Sequence, residues 1–298
     1  MDEGALRLAM GVWVVALGAT IGSFLNVVIA RVPVGESIVR PRSRCPGCRS
    51  PIAWYDNVPV VSWLVLRGRC RRCGMSIPFR YLAVELAGGA VAWLAWARHG
   101  LTLDALAELA FVDLLLALAF IDLATWLLPH ALTWPVIALG LAAAWAGAAP
   151  APSLTASAIG AGVGFAVFAV IAFAGRVVMR KEALGFGDVW LLSGLGAWLG
   201  APALLPVVLL ASIQGSVYGL ALVALGRSEP GPPAEATHPE AAPAEPVGAP
   251  AAGEDAEGEW IPPRHAVPFG PFLVLGALEW LYLGGWLASW IPALGVFR

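Results

Sequence analysis

The chain carries little charge for its length. Asp, Glu, Lys and Arg together make up 13% of its 298 residues, whereas soluble domains carry about 25%. Hydrophobic residues make up 59%, and the mean hydropathy is +0.77. The composition therefore excludes an ordinary soluble enzyme and predicts several membrane spans. The 14 Trp residues agree with this, because Trp is enriched where spans meet the membrane surface.

The chain also lacks the histidine pattern of a zinc protease. It has no H-E-x-x-H sequence, in which two histidines on one helix face bind the metal. Its four histidines are scattered, at His99, His130, His238 and His265. A zinc metalloprotease is therefore disfavoured.

Seven apolar runs approach or exceed the roughly 20 residues that a helix needs to cross a bilayer, and an eighth, at 188–200, is shorter and is expected to extend or tilt. They cover about 8–30, 80–97, 103–121, 127–147, 154–174, 188–200, 203–225 and 269–294. The first is expected to be a retained helix rather than a signal peptide, because it is too long and follows Asp2 and Glu3 instead of basic residues. The predicted fold is an all-α polytopic membrane protein with about eight transmembrane helices.

The basic residues are concentrated in one segment, since ten of the 18 lie between residues 31 and 80. Basic loops stay in the cytoplasm, so this segment is expected inside and the N-terminus outside. The expected organisation is a transmembrane helix at 1–30, a cytoplasmic domain at 31–79, a transmembrane core at 80–226, a cytoplasmic loop at 227–266 and a last transmembrane helix at 267–298.

The loop at 227–266 is rich in Pro, Ala and Glu. Between residues 228 and 260 it has no Lys, Arg, Leu, Ile or Phe. Such a segment cannot bury a core, so it is predicted to be disordered and acidic. A tolerated insertion is favoured over a regulatory tether.

All four cysteines lie in the 31–79 domain as two C-x-x-C pairs. These are Cys45 with Cys48 and Cys70 with Cys73, and 21 residues separate the pairs. Paired knuckles of this kind supply four thiolates to a tetrahedral zinc ion. Two disulfides are the alternative, which a reducing cytoplasm disfavours. The pattern predicts a small zinc-ribbon-like domain with a structural zinc site, whose tight turns are supplied by Gly47 and Gly74.

Two aspartates stand out, because carboxylates near membrane depth are costly and usually functional. Asp122 ends the third predicted span and Asp188 begins the sixth, so both are expected at the inner face. Gly185 and Gly187 allow the backbone beside Asp188 to turn sharply and approach a neighbour. Two close carboxylates share one proton and can activate water. The pair predicts an intramembrane aspartic protease.

The other acidic residues near membrane depth have different expected roles. Asp113 is nine residues from Asp122, about 180° around a helix, so these two cannot form the pair. Glu108 is expected to reach interfacial water, and Glu279 to pair with an unidentified polar group in the last span. A proton-coupled transporter is an alternative, because carboxylates in spans also mark proton relays. A non-enzymatic scaffold whose cysteine domain binds a partner is another, but it leaves the two boundary aspartates unexplained.

Six blocks of sequence, in order, resemble the bacterial prepilin peptidases, also called type IV leader peptidases. They are Gly22-Ser23-Phe24-Leu25-Asn26-Val27-Val28-Ile29 with Arg31 and Pro33; the two cysteine pairs; Pro78, Arg80, Tyr81 and Glu85; Ile121-Asp122 with Leu128-Pro129 and Leu132-Thr133; Glu182 and Gly185-Phe186-Gly187-Asp188 with Leu191-Leu192; and Val267-Pro268-Phe269-Gly270-Pro271-Phe272. The resemblance covers nearly the whole chain apart from 228–260.

The resemblance implies an aspartic endopeptidase of the bacterial inner membrane with its active site at the cytoplasmic face. Its substrates would be type IV prepilins and related pseudopilins, and no nucleic-acid partner is expected. Asp122 and Asp188 match the family's catalytic aspartates. Many members also N-methylate the new terminal residue with S-adenosylmethionine, and the cysteine domain usually accompanies that bifunctional type. The chain has no Rossmann-type glycine loop, so its methyltransferase residues stay unassigned.

Two positions depart from the family pattern. His130 follows Leu128-Pro129 where the family often has Asp. Trp190 lies two residues beyond Asp188 where the family often has Lys. Neither change replaces a catalytic aspartate, so both concern substrate contacts and local charge.

Overall fold

The computed structural model describes residues 2–179, 185–226 and 267–297. These ranges form nine α-helices and no β-strand, which confirms the all-α prediction. The helices are α1 (Glu3–Arg31), α2 (Val61–Val65), α3 (Phe79–His99), α4 (Leu103–Thr125), α5 (His130–Ala146), α6 (Leu154–Met179), α7 (Phe186–Leu199), α8 (Ala201–Ala224) and α9 (Gly270–Trp290). The predicted disordered loop at 227–266 and Glu182 lie outside the described residues.

Each predicted apolar run corresponds to one helix, namely α1 and α3 to α9. Within the described ranges, α1, α6, α8 and α9 are long and apolar enough to cross a membrane. Helix α7 has 14 residues and spans roughly 21 Å, less than the hydrocarbon core of about 30 Å. Helix α4 carries several carboxylates along its length. The structure thus has the architecture of a multi-span protein, but the predicted count of eight spans is not confirmed.

Small residues bring the helices into close contact. Gly22 of α1 lies against α3, and a Cβ at this position would be 2.6 Å from the Val84 carbonyl oxygen. Gly88 of α3 approaches α1 in the same way, 2.6 Å from the Gly18 carbonyl oxygen. Close backbone approach of this kind supplies packing energy in lipid, where apolar helix faces gain little from meeting each other.

Helix α4 lies at the centre of the fold and packs against α1, α3, α5 and α9. Phe111, Leu115 and Ile121 on this helix have no exposed surface. Phe111 stacks on Trp198 of α7, with ring centroids 4.7 Å apart. The Trp198 indole N–H donates to the Val136 carbonyl oxygen of α5 at 2.7 Å. Three acidic residues of α4, Glu108, Asp113 and Asp122, are buried within the protein.

A small domain joins the end of α1 to the start of α3. It consists of loops, the short helix α2 and two isolated backbone bridges, one in each cysteine knuckle. Gly74 of the second knuckle has a φ of +70°, as a tight turn there requires. In the first knuckle Gly47 lies within the turn, but the left-handed residue is Arg49, with a φ of +54°.

Glu108 is fully buried, so the expectation that it reaches interfacial water is wrong. Its Oε2 lies 3.0 Å from Arg98 Nη1 and 2.8 Å from His99 Nε2. Arg98 also lies over the Tyr282 ring of α9, 5.0 Å from its centroid. The short α3–α4 loop folds the end of α3 back onto α4, which supplies the buried carboxylate with the partners that burial requires.

Candidate active site and metal centre

Asp122 lies in the last turn of α4 and is 5% exposed. The helix ends at Thr125 because Trp126 adopts a left-handed conformation, with a φ of +59°. The Trp126 N–H donates to the Asp122 carbonyl oxygen at 2.9 Å. Leu128 and Pro129 then lead directly into α5. Asp122 thus lies directly before the tight turn that joins α4 to α5.

Asp188 lies in the first turn of α7 and is 8% exposed. Its N–H donates to the Gly185 carbonyl oxygen at 3.1 Å. Gly187 packs on the α4–α5 turn, where a Cβ would be 2.6 Å from Leu128 Cβ. The predicted close backbone approach is therefore present at Gly187. A carboxylate in the first turn of a helix also interacts favourably with the helix dipole.

The structure brings Asp122 and Asp188 together at one end of the bundle. Leu128 lies against both Gly187, which precedes Asp188, and Gly270, which approaches the Asp122 carboxylate, so the two aspartates belong to one cluster. Asp188 Oδ1 is buried and has no hydrogen-bond partner among the described residues. A buried polar atom without a partner is uncommon and often marks a functional site. A charged carboxylate disfavours ionisation of a second one nearby, so neighbouring buried carboxyl groups are suited to acid and base chemistry.

A third part of the site is the start of α9, which the sequence analysis did not place there. The Gly270 backbone lies directly against the Asp122 carboxylate. A Cβ at Gly270 would be 2.5 Å from Asp122 Oδ2, so a larger residue would displace the carboxylate. The signal in the sequence was the glycine between Phe269 and Pro271 in the last block of the resemblance.

Asp113 and Glu279 lie apart from this pair. Asp113 precedes Asp122 by about 14 Å along the axis of α4. It is 5% exposed, and its Oδ1 has no hydrogen-bond partner among the described residues. Glu279 of α9 accepts a hydrogen bond from Gln214 Nε2 of α8 at 2.5 Å. Gln214 is thus the polar partner that the sequence analysis could not name.

The two departures from the family pattern contact each other. The rings of His130 and Trp190 meet edge to face, with centroids 6.0 Å apart. Trp134 and Phe165 also contact Trp190, at 6.0 and 5.0 Å between centroids. The two positions therefore belong to one aromatic cluster beside the start of α7.

The four cysteine side chains form a cluster that can hold a metal ion. Their Sγ atoms all lie within 4.8 Å of one another, and all four thiols are free. Cys45 Sγ and Cys73 Sγ, from different knuckles, are 3.7 Å apart. A tetrahedral site with metal–sulfur bonds of about 2.3 Å has sulfur–sulfur edges of about 3.8 Å. The cluster fits such a site, and its four protein ligands leave no open position for chemistry.

Hydrogen bonds in the knuckles favour the metal-binding thiolate form. The side-chain and backbone hydrogen bonds of Ser50 lower the pKa of Cys48 to about 6. The backbone N–H groups of Cys73 and Arg72 lower the pKa of Cys70. Despite a backbone hydrogen bond from Met75, burial and the neighbouring thiols raise the pKa of Cys73 to about 11. The hydrogen bonds therefore favour the metal-binding thiolate form at Cys48 and Cys70.

Comparison with known protein families matches most of the chain. Residues 16–99 match the Bacterial Peptidase A24 N-terminal domain. Residues 109–220 match the Type IV leader peptidase family. The first match includes the cysteine cluster, and the second includes both Asp122 and Asp188.

Individual relatives agree with these matches. The chain is 43% identical to a prepilin leader peptidase/N-methyltransferase of Myxococcus xanthus, over 95% of this chain and 92% of the relative. It is 34% identical to one of Burkholderia pseudomallei, over 91% and 84%. It is 40% identical to a type 4 prepilin-like proteins leader peptide-processing enzyme of Escherichia coli, over 71% and 85%. No solved structure matches the chain. With identity at this level along nearly its whole length, this multi-span membrane protein belongs to the type IV leader peptidase family.

Proposed function

We propose that this protein is an intramembrane aspartic endopeptidase that removes the leader from type IV prepilins and related pseudopilins. Asp122 and Asp188 are its catalytic pair, and it also N-methylates the new terminal residue. The observation that carries the proposal is the burial of two carboxyl groups, from α4 and α7, in one cluster around Leu128. The names of the relatives supply the substrate class and the second activity.

In the proposed mechanism the two carboxyl groups share one proton, because two charges so close cannot both be ionised at low cost. The ionised group takes a proton from water, and the resulting nucleophile attacks the scissile carbonyl carbon. The protonated group gives its proton to the carbonyl oxygen. Collapse of the tetrahedral intermediate breaks the C–N bond. The amine leaves with the proton taken from water, and a hydroxyl of the intermediate returns its proton to the other carboxylate as the carbonyl re-forms. The Gly270 backbone, which lies against the Asp122 carboxylate, limits the movement of that group.

The connections between helices support a cytoplasmic active site. The cysteine domain joins the end of α1 to the start of α3, so both ends lie on its side of the membrane. Helix α4 packs against α3 after a short loop and runs back to that side. Asp122, at the end of α4, therefore lies on the same side as the basic domain. A prepilin would place its basic leader there and its apolar helix in the bilayer.

The proposed cofactors have separate roles. Zinc suits the four thiolates of Cys45, Cys48, Cys70 and Cys73, where it would join the two knuckles. S-adenosylmethionine is the proposed methyl donor. When bound it supplies a methyl group to the new terminal amine, which loses a proton as S-adenosylhomocysteine leaves.

Cleavage of a synthetic prepilin tests this function directly. The purified enzyme in phosphatidylcholine nanodiscs is mixed with a peptide that has a basic leader and an apolar helix, with or without S-adenosylmethionine. Mass spectrometry should show a peptide without its leader, carrying an added methyl group only when the donor is present. Folded protein that leaves the peptide intact would contradict the proposal. A proton-coupled transporter would instead show a pH-driven flux in vesicles and no cleavage.

A further inference from the structure

A groove of about 330 Å³ lies between the C-terminal half of α1 and the cysteine domain. Its α1 wall is a single helix face, formed by Thr20, Ser23, Phe24, Val27 and Arg31. At 1.5 Å per residue, the stripe from Thr20 to Arg31 is about 16 Å long. Helix α1 is long and apolar enough to cross a membrane, and Arg31 lies in its last turn. The groove therefore runs from the membrane surface into one leaflet.

Two arginines and no carboxylate line the groove. Arg42 is exposed, and its guanidinium makes no hydrogen bond or ion pair with any residue that the structure describes. Arg31 donates from Nη1 to the Ser37 carbonyl oxygen at 2.9 Å, which leaves its other nitrogens for a ligand. Glu36, in the same loop, is not part of the lining. Two guanidinium groups without an acidic partner favour an anion, and above all a phosphate.

The rest of the lining is largely apolar. Phe24 and Val27 of α1 face Ile38, Val39 and Pro41 of the loop that follows this helix. Phe24 is 48% exposed and Val39 is 76% exposed, so the protein itself does not cover them. A small water-soluble anion would bind the arginines and leave these side chains bare. A ligand with a phosphate and a hydrocarbon chain would cover both parts of the lining.

We propose that this groove binds one anionic phospholipid from the leaflet on the side of the cysteine domain. The lipid phosphate pairs with Arg31 and Arg42, and Ser43 and Asn57 hydrogen-bond to the hydroxyl groups of its head group. One acyl chain follows the α1 face past Phe24. Basic pockets beside membrane helices are suited to anionic head groups because the membrane presents them at that depth. The site is separate from the catalytic pair and takes no part in peptide cleavage.

A lipid in this groove would join two parts of the protein that have few polar contacts with each other. Asn57 and Pro59 lie in a turn that is held on α3, because the Val60 N–H donates to Glu85 Oε2 at 2.7 Å. Among the described residues, no hydrogen bond joins this turn to α1. A head group bound to both Arg31 and Asn57 would supply such a connection. The expected role of the lipid is thus to hold the cysteine domain against α1 at the membrane surface.

Native mass spectrometry of the full-length protein in dodecyl maltoside tests the proposal, because it counts bound lipids. The protein is titrated with dioctanoyl phosphatidylglycerol, with dioctanoyl phosphatidylcholine, and with glycerol phosphate, which has the anionic group but no acyl chain. We expect one phosphatidylglycerol per chain to bind at least about tenfold more tightly than either of the other two ligands, since only this lipid satisfies both the arginines and the apolar lining.

Three variants separate the groove from general surface charge. Arg42→Ala should weaken phosphatidylglycerol binding by on the order of tenfold or more, because it removes a charge-assisted contact. Arg40→Ala, the matched control, removes the same charge from the same loop outside the groove and should bind normally. Val27→Phe narrows the groove without changing its charge and should also weaken binding. Circular dichroism of each variant checks that its helix content is unchanged.

Four results would overturn the proposal. Equal affinity for phosphatidylglycerol and phosphatidylcholine would remove the role of the arginines. Equal losses in Arg40→Ala and Arg42→Ala would indicate diffuse attraction to a basic surface. Glycerol phosphate that binds as tightly as the lipid would indicate a site for a soluble anion. Wild-type affinity in both Arg42→Ala and Val27→Phe would place any bound lipid elsewhere. Leader cleavage, measured separately, tests the peptidase proposal and is independent of these outcomes.

Discussion

Replacing Gly270 with alanine puts a methyl group against the Asp122 carboxylate. The new Cβ would be 2.5 Å from Asp122 Oδ2 and 3.2 Å from its Cγ, whereas ordinary contact begins near 3.4 Å. The carboxylate or the start of α9 must therefore move by about 0.9 Å, the difference between 3.4 and 2.5 Å. A misplacement of about 1 Å can lower an enzymatic rate by on the order of 100-fold. We expect kcat for leader cleavage to fall by this order, with a smaller change in KM.

The assay is steady-state cleavage of the prepilin peptide in nanodiscs, with thermal unfolding followed in parallel. Gly215→Ala is the matched control. Its Cβ would be 3.5 Å from the Phe272 ring in the same first turn of α9, which is an ordinary contact. This variant should cleave normally. Full activity in folded Gly270→Ala protein would refute the placement of α9 against the catalytic pair.

Three further predictions concern parts of the protein away from the catalytic pair. Arg98→Met should lower the free energy of unfolding by about 3 kcal/mol because it removes a partner of the buried Glu108 carboxylate. Glu108→Gln should lower it by less in the same denaturant titration, and the reverse order would contradict the ion-pair account. Elemental analysis should find one zinc per chain, and serine at all four cysteines should weaken methylation more than cleavage; protein purified without chelators that contains no zinc would count against the metal site. Deletion of 230–258 should leave cleavage largely intact, because loop-closure cost changes slowly with length; a large loss at unchanged expression and insertion would make that acidic segment a docking arm for the basic leader.

The helices could be predicted because each is a continuous apolar run with clear polar or glycine-rich ends. What the sequence could not show is which sides of these helices meet. A helix that is apolar on all sides has no distinct buried face in its sequence, and its contacts depend on small residues such as Gly22 and Gly88. For the same reason, the sequence could not show that Gln214 of α8 donates a hydrogen bond to Glu279 of α9.

The candidate site was partly predictable. Asp122 and Asp188 were identified because each is a carboxylate at the end of an apolar helix, where a charged group is costly and usually functional. Gly270 was not identified, because the glycine between Phe269 and Pro271 does not itself show which side chain it approaches once α9 packs against α4. Glu108 was misjudged because its distance from the helix end suggested access to water. The fold places Arg98 and His99 over it instead, a consequence of the loop between α3 and α4 that residue spacing alone does not determine.

The most direct test of the catalytic pair compares three aspartate-to-asparagine variants that differ only in position. Asp122→Asn and Asp188→Asn should each lower leader cleavage by at least about 100-fold, because either change removes the carboxyl group that shares the proton. Asp113→Asn, on the same helix as Asp122 and equally buried, should still cleave. Cleavage rates are measured on purified, folded protein with the prepilin peptide. Substantial cleavage by either of the first two variants, or complete loss in Asp113→Asn, would show that the pair is wrongly assigned.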